Sequence, residues 1–189
     1  MTDSLIKLFG SPARVKLLRL FLFNPRQQWA VNEAAEHAQV TTAAARKELK
    51  LFVAINLVKQ SRQRFILNEN FEYLEAMQAL LLNAPARGRD IYERLRSAGA
   101  LKLVIVAGIF IGDWEEGRLD LLVVGDRIKD APLRRKLRAL ESELGKELRY
   151  AILSTPEFLY RLNMSDKLLR DVMDYPHSVV HDRLNIGVK

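Results

Sequence analysis

The sequence predicts an α+β protein built from two small domains, and three observations lead to this fold class. The chain has 189 residues, 49% of them hydrophobic, which is enough for one large core or two small ones. Apolar residues recur at helical spacing through the N-terminal third, which closes with two short β-prone stretches. From Leu101 onward, apolar runs typical of buried strands alternate with an amphipathic helical pattern. We therefore expect an N-terminal domain over residues 1–70, connecting helices and a linker over 71–98, and a small mixed-sheet α/β domain over 99–189.

The N-terminal segment carries start signals for three successive helices. Ser11 is a natural N-cap, and Pro12 suits the first position of the first helix, whose apolar residues follow at helical spacing. Asn32 is expected to cap a short alanine-rich helix. After a turn of only a few residues, Thr41 or Thr42 would cap the next helix. Two short helices joined by a tight turn form a candidate helix-turn-helix.

A hairpin and two further helices are predicted between this motif and the C-terminal domain. The β-prone stretches 57–61 and 62–68 are joined by polar residues and indicate a small hairpin. A helix is expected from near Asn70 to Leu82. The basic stretch 83–89 contains proline and glycine and predicts a linker, followed by a helix through residues 91–96.

The C-terminal domain should consist of strands and helices in alternation. Its predicted elements are strands in "LKLVIVAG", "LDLLVVGD" and "LRYAILS", an amphipathic helix in "DAPLRRKLRALESELGKE", helices from Thr155 and from Asp166 to Met173, and a last short strand in "HSVV".

The charge distribution and composition narrow the class of function. The net charge is +7, and residues 1–70 contain about eleven basic and five acidic residues, so about six of the seven net charges lie there. A basic segment on a nearly neutral body is expected of a protein that binds a polyanion, because neutralised phosphates release counterions. The chain has no cysteine, which rules out disulfides and thiolate chemistry, and no apolar run of 18 residues. We expect a cytosolic protein without a membrane segment.

The N-terminal order of helix, helix, turn, helix and hairpin resembles the winged helix-turn-helix of bacterial transcriptional regulators, over about residues 4–70. The resemblance implies that the helix from Thr42 to Ala54 enters the major groove of duplex DNA. The residues implied to face base edges or phosphates are Thr41, Thr42, Ala44 and Ala45, with further DNA contacts from Arg46, Lys47 and Lys50. The residues implied to form the wing and follow the DNA backbone are Lys59, Arg62 and Arg64.

The stretch "GIFIGDWEEGRLDLLVVGD" and the elements around it resemble the polymerase-beta-like nucleotidyltransferase fold, in particular its minimal bacterial members. Active members combine a Gly-Ser turn with an Asp-x-Asp pair on the next strand, and often a third acid on a later strand. Residues two apart on a strand point the same way, so the two carboxylates can hold a pair of Mg²⁺ ions. Here the glycine and second aspartate positions carry Gly108 and Asp120, but Ile109 and Arg118 occupy the serine and first aspartate positions.

The replaced residues predict a nucleotidyltransferase-like domain without catalytic activity. An arginine two residues before Asp120 is expected to pair with it and to keep Mg²⁺ out. Arg149 or Tyr150 stands where the third acid would be, and the loop acids Asp113, Glu115 and Glu116 have no strand to fix their geometry. We therefore expect no catalytic residues, no metal and no cofactor.

The histidines do not form a convincing metal pair either. His177 and His181 are four apart in a segment predicted as a strand, which separates them by about 13 Å, too far for one ion.

The leading hypothesis is a DNA-binding transcriptional regulator that acts as a homodimer on double-stranded DNA. Its inactive nucleotidyltransferase-like domain would serve dimerisation, ligand sensing or partner binding. The first alternative is a nucleotidyltransferase with altered metal ligands. The second is an antitoxin-like interaction protein with a protein partner.

Overall fold

The computed structural model of the chain describes residues 4–82, 88–112 and 117–186. Among these residues the fold is α+β, with a three-stranded antiparallel sheet and a four-stranded mixed sheet. The chain divides into two compact units. Unit 1 consists of Met1–Ala84 and Arg138–Glu147, and unit 2 of Pro85–Leu137 and Leu148–Lys189.

The elements of unit 1 up to residue 82 follow the chain as α1 (Ser4–Phe9), α2 (Pro12–Phe23), β1 (Trp29–Ala30), α3 (Val31–His37), α4 (Thr42–Ala54), β2 (Val58–Ser61), β3 (Arg64–Leu67) and α5 (Leu74–Leu82). In α2 the N–H of Arg14 donates to Oγ of Ser11 at 3.1 Å, as the N-cap prediction requires. In α4 the cap is Thr41, whose Oγ1 accepts from the N–H of Ala44 at 3.2 Å.

The cap predicted for α3 is wrong. The helix begins at Val31, so Asn32 lies inside its first turn. The side chain of Glu33 accepts from the N–H of Ala30 at 2.9 Å, which satisfies a backbone donor at the helix start. The chain enters the helix directly from strand β1, where Ala30 pairs with Arg64 of β3. Helix α1 and strand β1 were not predicted from the sequence.

The sheet of unit 1 has the strand order β1-β3-β2. The hairpin of β2 and β3 turns between Ser61 and Arg64, with Arg62 in the left-handed region at φ +55°. The helices and the sheet enclose one apolar core that includes Phe21 of α2 and Phe52 of α4. This core holds α4 in a fixed orientation, so its outer face is defined.

Helix α5 begins at Leu74, four residues after the predicted start near Asn70. The side-chain oxygen of Asn68 accepts a hydrogen bond from the N–H of Asn70 at 3.2 Å. The backbone carbonyl of Asn68 accepts a hydrogen bond from the N–H of Phe71 at 3.0 Å. These bonds form a turn that competes with a helical conformation. Most of the predicted linker, residues 83–87, lies outside the described residues.

The elements from residue 88 onward are α6 (Gly88–Leu95), β4 (Ala100–Ala107), β5 (Leu121–Asp126), α7 (Asp130–Leu144), β6 (Tyr150–Leu153), α8 (Thr155–Asn163), α9 (Lys167–Met173) and β7 (His177–Asp182), with 3₁₀ turns at Arg96–Ala98 and Gly108–Ile111. The strand order is β6-β5-β4-β7. Strands β5 and β6 are parallel, and β4 pairs antiparallel with β5 and β7. The last strand is two residues longer than predicted from "HSVV".

Both faces of the two central strands, β4 and β5, are buried. Alternate residues such as Leu103 and Leu122 contribute to a core cluster with Phe158 of α8 and Leu169 of α9. The residues between them on β4 and β5, such as Val104, are fully buried as well. Burial on both faces explains why the strands appear in the sequence as continuous apolar runs.

The C-terminal half of α7 is part of unit 1, and a buried arginine holds it there. Arg19 of α2 donates from Nη1 to the carbonyl of Glu143 at 3.0 Å and from Nε to the carbonyl of Leu81 at 3.2 Å. Gly145 follows α7 at φ +78°, and a Cβ there would overlap the backbone of α2. The N-terminal unit is therefore not one continuous stretch of chain. Within the described residues, no helix is long and apolar enough to span a membrane.

Candidate functional site

Helix α4 presents three basic side chains on its outer face. Its buried residues are Ala45, Glu48, Leu49 and Phe52, spaced by three, one and three positions along one side of the helix. Arg46, Lys47 and Lys50 fall on the opposite side and are exposed. Within the described part of the chain, none of the three forms an ion pair, so their charges face solvent. Thr41 and Thr42 are exposed at the N-terminal end of the same helix.

The buried stripe of α4 includes one residue that was predicted to face DNA. Ala45 has 0% of its surface exposed, so its side chain packs in the core and cannot reach a ligand. Ala44, beside it, is half-buried and keeps part of its surface accessible. The prediction for Ala45 is wrong because it was based on closeness to the helix start, whereas the helical period turns this position inward.

The buried carboxylate of Glu48 connects α4 to the N-terminal end of α2 through hydrogen bonds. Glu48 is only 4% exposed, and its two oxygens accept from Oγ of Ser11 at 3.0 Å and from Nε of Arg14 at 2.8 Å. Arg14 is held further by a bond from Nη1 to the carbonyl of Phe9 at 3.0 Å. Because a buried charge is stable only when it is paired, these bonds restrict how α4 can rotate or shift. Sequence reasoning missed this role, although an acidic residue on an otherwise apolar helix face was its signal.

The β2–β3 hairpin carries a second group of cations. Lys59 on β2 and Arg62 in the turn are exposed. Strand β2 follows α4 after three residues and contacts it. The cations of the hairpin and of α4 thus lie on neighbouring elements of one unit.

Arg64, the third cation predicted for the hairpin, lies beside the turn, where it pairs with Ser61, and its side chain is engaged by other groups. Its Nη1 and Nη2 donate to the carboxylate of Glu33 at 3.1 and 3.3 Å, and Nη1 also donates to the carbonyl of Gln28 at 3.2 Å. The hydrogen bond from the N–H of Ala30 and then the Arg64 charge hold the pKa of Glu33 below its ordinary value. Arg64 therefore braces the hairpin against α3 while remaining exposed to solvent.

In unit 2, the backbone at Gly108, Ile109 and Arg149 surrounds the carboxylate of Asp120. This residue is 7% exposed, and its Oδ1 accepts from the N–H of Ile109 at 2.9 Å. Its Oδ2 accepts from the N–H of Arg149 at 2.9 Å. Gly108 has φ +51°, and a Cβ there would overlap Oδ1 of Asp120. The glycine and the aspartate are therefore adjacent, and each carboxylate oxygen is occupied by a backbone donor.

Arg118 and Asp120 have other partners than the ones expected. The guanidinium carbon of Arg118 lies 3.6 Å from the centroid of the Tyr175 ring, a cation–π contact. Neither this contact nor the two backbone bonds to Asp120 is the pairing of Arg118 with Asp120 that the sequence led us to expect. Tyr150, one candidate for the third-acid position, opens β6 and pairs with Leu121. The loop acids at 113, 115 and 116 lie outside the described residues.

The two histidines of β7 have separate surroundings. His181 stacks on Tyr92 with ring centroids 4.0 Å apart, and Nδ1 of His177 lies 2.8 Å from the carbonyl of Tyr175. Across the described ranges, no group of three or more histidine, cysteine, aspartate or glutamate side chains is arranged to hold a metal ion.

In comparisons with known proteins, no family model, no curated protein and no solved structure matches this chain. A functional assignment therefore depends on the geometry and charge of the chain itself.

Proposed function

We propose that the protein is a sequence-specific DNA-binding regulator whose unit 1 is a winged helix-turn-helix. The observation that carries this proposal is the face of α4 formed by Arg46, Lys47 and Lys50. These cations have no ion-pair partner within the described residues, and they project from a helix that Glu48 fixes to the core. A rigid helix with unpaired positive charge on its outer side suits the major groove of duplex DNA.

The remaining elements of unit 1 support the same assignment. Helices α3 and α4 contact each other across the turn at residues 38–41, and the hairpin follows directly. In this arrangement Thr41, Thr42 and Ala44 stand at the end of α4 that would meet base edges or phosphates. Lys59 and Arg62 would follow the DNA backbone as the wing. Regulators of this kind commonly read two half-sites as two-fold dimers, and we propose a homodimer here.

For unit 2 we propose a nucleotidyltransferase-like fold that has lost its catalytic function. The antiparallel β4–β5 pair, the helix α7 and the parallel strand β6 support the fold assignment. The loss of activity is supported by Asp120, whose oxygens both accept backbone N–H groups, and by the cation at Arg118. A site with one engaged carboxylate is poorly suited to hold two Mg²⁺ ions. This unit would serve dimerisation, ligand sensing or partner binding.

Two alternative functions have specific observations in their favour. The close approach of Gly108 to the carboxylate of Asp120 favours a nucleotidyltransferase with altered metal ligands. If the wild-type protein transfers a nucleotide and the Asp120→Ala variant does not, this alternative would replace the leading proposal. The exposed side chains of Leu159 and Tyr160 on α8, and of Met164 directly after it, favour an antitoxin-like protein with a protein partner, because exposed aromatic and methionine side chains are common at interfaces.

Duplex DNA binding by the full chain tests the leading proposal. Fluorescence anisotropy with a labelled duplex pool at low salt should show binding that Arg46→Ala with Lys50→Ala weakens at least tenfold. The control is Lys167→Ala with Arg170→Ala, which removes the same charge from exposed positions on α9. If the two double variants weaken DNA binding equally, the effect is one of net charge and not of the α4 surface. If the wild-type protein does not bind duplex DNA, the proposal is wrong.

A further inference from the structure

Unit 2 contains an open cleft of about 400 Å³ that no step of the proposed function uses. It lies between α6 with the following 3₁₀ turn and the sheet edge where β4 begins. Its polar side chains come from Tyr92, Arg96, Ser97 and Arg183. The volume is within the range of small-molecule binding pockets.

Two facing elements bring these side chains together. Tyr92 and Arg96 are four residues apart and share one side of α6 and its extension. His181 lies on β7, and Arg183 directly follows the end of this strand. The ring of Tyr92 stacks on His181 at an interplanar angle of 15°, so its orientation is set without a ligand. The N–H of Arg183 donates to the carbonyl of Lys102 at 2.7 Å, which fixes the backbone on the other side.

The lining of the cleft is positively charged. The charged residues that line it are both arginines, Arg96 and Arg183, and its lining includes neither aspartate nor glutamate. Glu93 accepts from Nε of Arg96 at 2.8 Å, which holds the guanidinium while its terminal N–H groups can serve a ligand. Oδ1 of Asp182, next to Arg183, accepts hydrogen bonds from the backbone N–H groups of Leu184 and Asn185.

We propose that this cleft binds the phosphoryl group of a small phosphorylated molecule between Arg96 and Arg183. Guanidinium groups match the geometry and charge of a phosphate dianion. The hydroxyl groups of Ser97 and Tyr92 add donors, and the volume leaves room for the molecule that carries the phosphate. The site is separate from the stretch around Gly108, because the two lie at opposite ends of β4, about 24 Å apart along the strand.

Titration of the ¹⁵N-labelled full chain with inorganic phosphate, at constant ionic strength, tests this site. We expect saturable shifts of the backbone amides of Ser97, Gly99 and Leu101, which border the cleft. Arg183→Gln should raise the dissociation constant at least tenfold, because it removes charge-assisted hydrogen bonds. Arg96→Gln should also raise the dissociation constant, and this variant replaces Arg183→Gln in the test if Arg183→Gln does not fold.

Two controls separate this site from other anion binding. Arg170→Gln, an exposed arginine on α9, should leave the shifts unchanged, and so should Arg46→Ala with Lys50→Ala, which addresses the proposed DNA surface. Shifts that do not saturate, that persist in Arg183→Gln, or that disappear with the α4 variant would overturn the proposal. Malonate that binds these amides as tightly as phosphate would show a carboxylate site and would overturn the assignment to a phosphoryl group.

Discussion

Replacing Glu48 by alanine should destabilise unit 1 by about 2 kcal/mol. The carboxylate accepts two hydrogen bonds while only 4% exposed, from Ser11 at 3.0 Å and from Arg14 at 2.8 Å. Two bonds to a charged group are worth about 3 kcal/mol together. The side chain of Arg14 is 30% exposed, so water can replace part of its lost contact, which lowers the cost.

A single tryptophan can report the unfolding of this unit. Trp29 is buried in unit 1, and the other tryptophan of the chain, Trp114, can be replaced by phenylalanine in all variants. Urea unfolding followed by Trp29 fluorescence would then give the free-energy difference for Glu48→Ala. The matched control is Glu36→Ala, an exposed acid on α3, which should change the stability by less than about 0.5 kcal/mol. A loss of the same small size for Glu48→Ala would refute the role of Glu48 in fixing α4.

Two further predictions concern backbone geometry and pH. Gly108→Ala should destabilise unit 2 clearly more than Gly112→Ala. Both glycines have a positive φ, but only a Cβ at position 108 would overlap Asp120. Thermal unfolding of the two variants measures this difference in stability. The lowered pKa of Glu33 means that its bonds stabilise the fold above the ordinary pKa of a carboxyl and are lost as the pH falls through the lower, folded value. The stability difference between wild type and Glu33→Gln should therefore be largest near neutral pH and should shrink in acid. A difference that is independent of pH would contradict the assigned contacts of this carboxylate with the N–H of Ala30 and with Arg64.

The elements that the sequence predicted well depend on local interactions. Ser11 and Thr41 cap helices through bonds to residues three positions later, so their function is visible in a short window. Asn32 has the same cap chemistry, but the helix starts earlier because Ala30 pairs with β3, a strand more than thirty residues away. A short window of sequence contains no information on that pairing.

The same reasoning applies to the candidate sites. The exposure of Arg46, Lys47 and Lys50 follows from the period of the helix, and the same period, applied to Ala45, would have placed it in the core. The hydrogen-bond partners of Asp120, in contrast, could not be predicted from the period of a helix or strand. One of its backbone donors, Arg149, is 29 residues away, so the sequence favoured the neighbouring Arg118 instead.

Lysine footprinting with and without DNA tests the central claim most directly. Acetylation of the full chain, followed by mass spectrometry, measures the reactivity of each lysine. Duplex DNA should reduce the reactivity of Lys47, Lys50 and Lys59, which are exposed on α4 and β2. The exposed Lys129 and Lys167 of unit 2 serve as internal controls and should keep their reactivity. Protection of the controls alone, or equal protection of all five lysines, would contradict binding through α4 and the hairpin.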